Sequence, residues 1–441
     1  MVWYVLYIIC LLILQKSIGF SNFLCFTFYF SSSCLMWTVW QNIKKEFPIF
    51  WQYPGLIYLD NAATTQKPQS VIDAMSSYQE HSYANIHRWV YHLAEESERL
   101  YKASKIKIAQ FIGWDFREIV YTYNATYASN ILAQSLVQTY TLWQWDVVLL
   151  GIRDHHATIV PLQLLAKQKG FELQFIVIDK ETWDIDRNQL QKTLDTKKVK
   201  AVTCSHVSNV TWIVYDMHRI QSLLALQSEK PFFAIDGSQA VPHMRIDVKT
   251  LWCDAYFFTG HKMMWPTGIG VLWIDKLHAR RLETTFGGWG IIESVTTDWC
   301  SLIRTADKFE PWTPNLIGAI WLWAACDFYN ENNIYTHIQD HENNLYNILR
   351  DGLWKYSDKV SIFAPSALPR CGILSCVVSD PFDFSEYLAE YDICVRSGGH
   401  CAHPLLHYMD QDTWVVRISP FVYTSDQDIA YLLAVIATYF K

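Results

Sequence analysis

Short apolar strands alternate with helical stretches from Gly55 to about Tyr329, and this alternation most constrains the fold. Strands joined by helices at this spacing predict right-handed crossovers and a mostly parallel sheet. In such a sheet, ligands bind outside the carboxyl ends of the strands. We therefore expect an α/β fold with its site at that edge. The predicted strands are Asp146 to Leu150, Leu173 to Ile178, Ala201 to Ser205, Phe232 to Ile235 and Ala255 to Phe258.

We predict a large domain with a mostly parallel sheet over residues 56–329 and a smaller α+β domain over residues 330–441. No linker rich in proline, glycine or serine separates the two, so they should pack tightly. Residues 36–55 are predicted to pack on the small domain. The elements predicted for the small domain are the helices Ile334 to Leu349 and Asp426 to Tyr439 and the strands Val360 to Phe363, Gly372 to Val377 and Trp414 to Ile418.

Asp236 and Lys262 each follow an apolar strand, and Lys262 closes the run Thr259-Gly260-His261-Lys262. A lysine amine can bind the aldehyde of pyridoxal 5'-phosphate (PLP) covalently. A carboxylate beside the pyridinium nitrogen keeps that nitrogen protonated, which makes the ring an electron sink. The pair therefore predicts a PLP enzyme. His155 also follows a strand and should lie at the same edge.

Eight motifs, in order from about Phe47 to the C-terminus, resemble the class V aminotransferase family of fold-type I PLP enzymes. Within that family they are most similar to the SUF-type (group II) cysteine desulfurases. The resemblance implies conversion of L-cysteine to L-alanine, with the sulfur used for iron–sulfur cluster assembly. The motifs are Tyr58 to Thr65, Ala84 to Arg88, Asp154 to Pro161, His206 to Asn209, Tyr256 to Met264, Trp312 to Asn315, Val395 to Ala402 and Val416 to Ser419.

The resemblance also implies roles for individual cofactor-binding residues. His155 would stack on the pyridine ring and act as acid or base, and Gln239 would meet the phenolic oxygen. Thr126 should open a helix whose N-terminus faces the phosphate. Thr313 looks like a residue lent by a partner subunit, which implies a homodimer. The residues predicted to contact the cofactor are Lys262, Asp236, Gln239, Thr126, Thr259, His261, His155 and Thr313.

Asn209 and Arg417 look like the pair that binds the substrate α-carboxylate, since a planar guanidinium matches a carboxylate bidentately. Arg396 and His87 are predicted to line the same pocket.

Cys401 would take the sulfur, which makes Lys262, Cys401 and His155 the predicted catalytic residues. We expect Cys401 in a short flexible loop beside Arg396 and His400, whose positive charge would favour the thiolate. The thiolate would attack the substrate sulfur and become a persulfide, which then passes to an acceptor protein. The shortness of the run from Ser397 to Pro404 is typical of the group II enzymes.

Two alternatives remain open at this point. The first is another PLP enzyme of the same fold, such as a selenocysteine lyase or another C–S lyase. The second is a non-catalytic sulfur-scaffold protein descended from the enzyme.

The amino-acid composition indicates which binding partners and which cellular compartment to expect. The net charge is -7 with no long basic run, so no nucleic-acid footprint is expected. The 11 cysteines lack CxxC or metal-ligand spacing, so neither a metal site nor a disulfide framework is predicted. Scattered thiols fit a reducing cytoplasm.

The first 35 residues are an apolar extension of a different kind. The run Val2 to Leu14 is shorter than the roughly 20 residues of a membrane span, and no basic segment precedes it as in a secretory signal. It is either a membrane anchor or upstream sequence that is not translated, with Met36 near the true start. The second interpretation is favoured, so no membrane partner is expected.

The chain has 17 glycines and 20 tryptophans, whereas an average chain of this length would carry about 31 glycines. Several tryptophans stand where the resembled family has, or readily accepts, glycine. Either the enzyme is degenerate, or the organism reads UGA as glycine where this translation has tryptophan; we favour the second hypothesis. Read literally, Trp265 and Trp312 would crowd the phosphate region. The positions in question are Trp89, Trp145, Trp212, Trp252, Trp265, Trp289, Trp312, Trp321 and Trp323.

Overall fold

A seven-stranded sheet forms the centre of the fold. The structure is a computed structural model and describes residues 40, 42–87, 90–114, 116–365, 367–411 and 414–441. The predicted extension 1–35, Met36 and Trp89 lie outside the described residues. The strands are β1 Ile57–Tyr58, β2 Ile119–Thr122, β3 Asp146–Gly151, β4 Glu172–Ile176, β5 Lys198–Ser205, β6 Phe232–Asp236, β7 Ala255–Thr259, β8 Gly270–Ile274, β9 Ile292–Val295, β10 Cys300–Leu302, β11 Ser361–Phe363, β12 Leu374–Val377, β13 Ile393–Cys394, β14 Arg396–Gly398 and β15 Val415–Ile418.

Fourteen α-helices accompany these strands in the described residues. They are α1 Ile49–Gln52, α2 Gln69–His81, α3 His92–Phe111, α4 Ala125–Tyr140, α5 His156–Lys169, α6 Arg187–Thr196, α7 Met217–Leu224, α8 Val248–Leu251, α9 Lys276–Arg281, α10 Leu316–Glu331, α11 Ile334–Leu353, α12 Pro381–Ala389, α13 His403–Tyr408 and α14 Asp426–Tyr439. Single 3₁₀ turns occupy Phe116–Glu118, Gly260–Lys262, Ala306–Phe309 and Trp354–Tyr356.

The central sheet has the strand order β2-β8-β7-β6-β5-β3-β4. Strands β7, β6, β5, β3 and β4 pair in parallel, while β8 runs antiparallel to both of its neighbours. The five strands predicted from the sequence all form, with ends shifted by at most a few residues. The predicted α/β fold with a mostly parallel sheet is confirmed.

Helices cover both faces of the central sheet. Along β7 the side chains alternate, so Tyr256 and Phe258 belong to one apolar core and Ala255 and Phe257 to the other. A strand buried on both faces reads as a continuous apolar run, as the sequence of β7 does. The layered core fixes the strand ends, and with them the loops that carry the polar residues.

A second, antiparallel sheet has the order β11-β12-β15-β14 and a core of its own. Helix α14 begins at Asp426 and ends at Tyr439, as predicted, and Ser425 and Asp428 form a capping box at its start. Phe47 packs on Phe328 and Tyr423, at ring-centroid distances of 5.7 and 4.7 Å. The domain bounds at 55/56 and 329/330 stay a prediction.

In the described ranges, no helix has the length and apolar character needed to cross a bilayer.

Candidate active site

A cavity of about 350 Å³ opens where the central sheet meets the second sheet. Its walls include residues that follow the carboxyl ends of β3, β5, β6 and β7, as expected for an open α/β sheet. Many of the predicted site residues line this cavity, among them His155, Asn209, Asp236, Lys262, Cys401 and Arg417. The structure thus joins residues from distant parts of the sequence in one site.

Lys262 ends the 3₁₀ turn that follows β7, and its side chain faces the cavity. Burial, helped by the positive charge of Arg417, lowers the pKa of Lys262 from 10.5 to about 8. The negative charge of Asp236 opposes that shift. Near neutral pH the amine is therefore uncharged far more often than that of an exposed lysine, and the uncharged form is the one that bonds to an aldehyde.

Asp236 is the last residue of β6, and its Oδ1 accepts a hydrogen bond from the backbone N–H of Ser238 at 2.9 Å. Burial raises the pKa of this carboxyl group. A buried carboxylate is costly unless a cation pairs with it, so the site favours a ligand with a protonated nitrogen at this point.

His155 caps the N-terminus of α5, where its Nδ1 accepts a hydrogen bond from the backbone N–H of Ala157 at 3.0 Å. Burial and the charge of Lys262 lower the pKa of His155 to about 3. The ring is therefore neutral at physiological pH and carries its proton on Nε2. A neutral ring suits stacking on an aromatic ligand, with one N–H available as a donor.

Four buried side-chain atoms around the cavity have no hydrogen-bond partner among the described residues. They are Ser238 Oγ, Gln239 Oε1, Thr259 Oγ1 and His261 Nδ1. Buried polar groups without partners are rare in folded proteins, so a cluster of them indicates a polar ligand. Gln239 Nε2 donates to the backbone oxygen of Ala62 at 3.0 Å, which uses one of its two amide hydrogens.

Helix α4 directs its N-terminus at the same end of the cavity. Asn124 caps this helix, and Thr126 in its first turn lines the cavity beside Thr259 and His261. A helix N-terminus favours a phosphate through its dipole and its free N–H groups. Together with Lys262 and Asp236, these residues fit PLP: an aldehyde at the lysine, a pyridinium at the carboxylate and a phosphate at the helix.

Arg417 lies in β15 and is almost fully buried. Its Nη1 donates to the backbone oxygen of Asn209 at 3.1 Å, while its Nε has no partner in the described residues. Burial lowers the pKa of Arg417 to about 10, which still leaves the guanidinium charged at neutral pH. It can therefore bind a carboxylate in the cavity.

Cys401 lies in a tight turn between β14 and α13, and its side chain is exposed to the cavity mouth. Its backbone oxygen accepts from the N–H of His156 at 2.8 Å. The oxygen of the preceding residue, His400, accepts from Asn209 Nδ2 at 2.6 Å. Hydrogen bonds from two other segments thus join this turn to the rest of the site, and its flexibility stays a prediction.

The prediction that His400 carries a positive charge beside Cys401 is wrong. Burial, with the nearby charge of Arg417, lowers the pKa of His400 to about 3, so its ring is neutral. Its Nε2 lies 3.0 Å from the backbone oxygen of Val415. Arg396, the other predicted source of positive charge, is bound to the carboxylate of Asp60.

The sequence model of the class V aminotransferase family matches residues 57–432, which is most of the chain. The chain belongs to this family. The probable cysteine desulfurase of Halalkalibacterium halodurans is 34% identical over 394 residues, covering 88% of this chain and 95% of that protein. The solved cysteine desulfurase of Thermococcus onnurineus NA1 superimposes with a TM-score of 0.83 at 32% identity, covering 90% and 97% of the two chains. The Escherichia coli cysteine desulfurase CsdA gives 0.81 at 27% identity, covering 90% and 98%.

Two of the predicted site residues, His87 and Thr313, are absent from the described lining of the cavity in this class V aminotransferase. His87 lies in left-handed backbone beside Glu98 and Trp289. Thr313 is exposed on the segment before α10. The role of Thr313 in a partner's site stays a prediction.

Trp265 and Trp312, which were expected to crowd the phosphate region, are absent from the described lining of the cavity. Trp265 is fully buried beside Phe258, with ring centroids 6.3 Å apart, and is absent from the described cavity lining. Trp312 stacks on Tyr123 at 5.7 Å. The backbone φ angle is negative at both Trp265 and Trp312.

Other tryptophans do occupy backbone that favours glycine. Trp212 and Trp252 have φ values of 61° and 54°, as expected if glycine belongs there. Trp183, which the sequence did not single out, has a φ of 64°.

Away from the cavity, His243, Glu342 and Cys371 form a buried group whose ligand atoms lie within 4.8 Å of one another. No metal spacing in the sequence indicated this group. Nδ1 of His243 lies 2.5 Å from Oε1 of Glu342, and Oε2 accepts from the N–H of Gly372 at 3.2 Å. Both carboxylate oxygens thus have protein partners, so we assign the group a structural role.

Proposed function

We propose that this enzyme is a PLP-dependent cysteine desulfurase of the SUF type, which converts L-cysteine to L-alanine. The observation that carries the proposal is the sharing of one cavity by Lys262, Arg417 and Cys401. The lysine supports PLP chemistry, the arginine supports α-amino acid binding, and the cysteine supports sulfur transfer. Relatives named as cysteine desulfurases share about a third of its residues.

Each residue of the site has a separate role, which follows from its position in the cavity. Arg417 binds the α-carboxylate and orients the substrate, while His155 stays neutral against the ring. When bound, PLP supplies an electron sink for bond breaking at the substrate α-carbon. With cofactor and substrate bound, the amine of Lys262 would remove the Cα proton. Its lowered pKa makes it an effective base near neutral pH.

Cys401 then accepts the sulfur. Its thiolate attacks the substrate sulfur, so that an S–S bond forms while the Cβ–S bond breaks and its electron pair remains on the substrate. Protonation of the remaining fragment yields alanine, and the enzyme holds a persulfide. The atoms and electrons balance without an external oxidant.

The persulfide passes to an acceptor protein for iron–sulfur cluster assembly. The turn at Cys401 is held to His156 and Asn209, so its sulfur has little freedom to travel. A partner that reaches into the cavity mouth fits this geometry. All eight cysteines of the described residues are unpaired, which supports a reducing cytoplasm.

Two variants test this function and separate it from its alternatives. We expect the PLP-loaded protein to be yellow and to release alanine from L-cysteine with a thiol reductant present. Lys262→Ala should remove both properties, and Cys401→Ser should keep the colour but lose alanine formation. Full alanine formation by Cys401→Ser would favour a selenocysteine lyase, and release of pyruvate and sulfide in its place would favour another C–S lyase. A colourless protein at saturating PLP would favour a non-catalytic scaffold.

A further inference from the structure

Two arginines stand side by side at the wall of the cavity. Strands β14 and β15 pair antiparallel in a register that places Arg396 directly opposite Arg417. Like charges at such a cross-strand pair repel each other. Both side chains line the cavity, so the repulsion lies where the substrate binds.

Asp60 offsets this repulsion. Arg396 Nε lies 3.1 and 3.0 Å from its two carboxylate oxygens, and Arg396 Nη2 lies 2.8 Å from Oδ2. Arg417 Nη2 donates to Oδ1 at 3.4 Å, a longer and weaker contact. The carboxylate therefore engages the fork of Arg396 closely and touches only the edge of Arg417.

The backbone holds Asp60 in this place. Asp60 forms a bridge with Ser419, two residues beyond Arg417. Ser419 Oγ also accepts from the N–H of Ala62 at 3.1 Å. The position of the carboxylate is thus tied to the strand that carries Arg417.

The net charge of Arg396, Arg417 and Asp60 is balanced by one substrate carboxylate. Two guanidinium groups and one carboxylate leave a single net positive charge. That charge belongs to Arg417, whose Nε lacks a partner in the described part of the chain, whereas the fork of Arg396 is occupied. An amino acid with a second anionic group would find no free cation on this wall.

We propose that Asp60 is a specificity-determining positioning residue. It binds Arg396 and so keeps this arginine from pairing with an anionic substrate side chain, which directs the enzyme to amino acids with one carboxylate. The inference rests on the proposed function, because it concerns the substrate of that same site. The side chain of Arg396 is 53% exposed, so it has room to turn toward such a group once released.

The test compares L-aspartate with L-asparagine, which match in shape and differ in charge. The dissociation constant of each is measured on PLP-loaded protein from the change in cofactor absorbance. We expect Asp60→Asn to shift the ratio of the two constants about tenfold toward aspartate, as one new charge-assisted pair implies. Asp60→Glu, which keeps the carboxylate, should stay within about threefold of the wild-type ratio, as for a retained ion pair.

A double variant isolates the arginine. Adding Arg396→Gln to Asp60→Asn should return the ratio toward the wild-type value, because the released guanidinium is gone. An unchanged ratio in Asp60→Asn, or a shift that survives the loss of Arg396, would overturn the proposal. A general structural effect would weaken both ligands and leave their ratio in place.

Two further measurements keep the test decisive. If Asp60→Asn does not fold, Arg396→Lys replaces it, since lysine keeps the charge but cannot form the fork; the ratio should again move toward aspartate. L-cysteine is assayed on the wild type in parallel. Failure to form alanine would reject the proposed function, whereas alanine formation with an unmoved ratio would reject only the role of Asp60.

Discussion

At the scale of single residues, the tryptophans carry the clearest conflict between side chain and backbone. Trp252 follows α8 in a left-handed conformation, as Gly170 does after α5, with φ values of 54° and 84°. That conformation costs a non-glycine residue roughly 1–2 kcal/mol. Trp212 has a left-handed backbone as well, with a φ of 61°. Its fully buried indole N–H has no partner in the described residues, which costs about 1–3 kcal/mol more. Glycine would remove both penalties.

The recoding hypothesis makes a direct prediction for the native protein. Mass spectrometry of its peptides should show glycine at Trp212 and Trp252, and also at Trp265 and Trp312. Trp273 is the internal control, because it lies in β8 and its Nε1 donates to Glu118 at 3.2 Å, as a true tryptophan would. Tryptophan in all of these peptides would refute recoding and leave a divergent enzyme.

The lowered pKa of Lys262 predicts how cofactor binding depends on pH. Only the uncharged amine attacks an aldehyde, and burial brings the pKa down from 10.5 to about 8. The rate of PLP binding by cofactor-free protein should therefore rise with pH, about tenfold per unit, and level off above about 8. Stopped-flow absorbance measures this rate. An inflection near 10.5 would mean that the amine is solvated.

At the scale of structural elements, the turn between β14 and α13 depends on residues far away in sequence. Asn209 Nδ2 donates to the oxygen of His400, although the sequence predicted that Asn209 binds the substrate carboxylate. The bond fixes the turn that presents Cys401. A hydrogen bond to a buried backbone oxygen is costly to remove, so the turn should loosen without it.

Replacing Asn209 separates the two roles. We expect Asn209→Ala to lower kcat for alanine formation about tenfold through misplacement of Cys401, with cofactor absorbance retained. The matched control is Asn332→Ala, which removes a similar bond to Phe328 (2.9 Å) at the end of α10 and should leave kcat unchanged. A raised KM with an unaltered kcat would show instead that Asn209 acts on the substrate.

Much of this site follows from local sequence patterns, and the rest depends on contacts between distant segments. One apolar run ends at Asp236 and another ends shortly before Lys262, and this pattern was enough to predict that both residues lie at the same edge of the sheet. The pairing of Asp60 with Arg396 spans 336 residues and becomes visible only once β14 and β15 are paired. The neutral state of His400 depends on burial in the folded chain, which no local pattern encodes. The signal for Asp60 was its place in the motif Tyr58 to Thr65, two residues after the end of β1.

At the scale of the whole molecule, the position of Thr313 bears on assembly. It is exposed and does not line the cavity of its own chain, so a role at the cofactor requires a second subunit. Such a site is completed across an interface between identical chains. We therefore expect a homodimer with two shared sites.

Mixing two defective variants, at a PLP concentration too low to saturate Thr313→Ala, tests this arrangement. Thr313→Ala should weaken PLP binding at the partner's site, and Lys262→Ala should inactivate its own. In a 1:1 mixture allowed to exchange subunits, about a quarter of the sites should be intact, because each mixed dimer has one site with both residues. Recovery of alanine formation at that level supports the shared site. No recovery, with exchange confirmed by native mass spectrometry, would place Thr313 outside it.

The central claim is that Cys401 receives the sulfur of L-cysteine in a cavity built around Lys262. The most direct measurement is mass spectrometry of the PLP-loaded protein after one turnover without reductant. We predict that the peptide containing Cys401 gains one sulfur atom, with one alanine released per sulfur bound, and that Lys262→Ala prevents both. Alanine release with an unmodified Cys401, or a persulfide on another cysteine such as Cys394, would contradict the account.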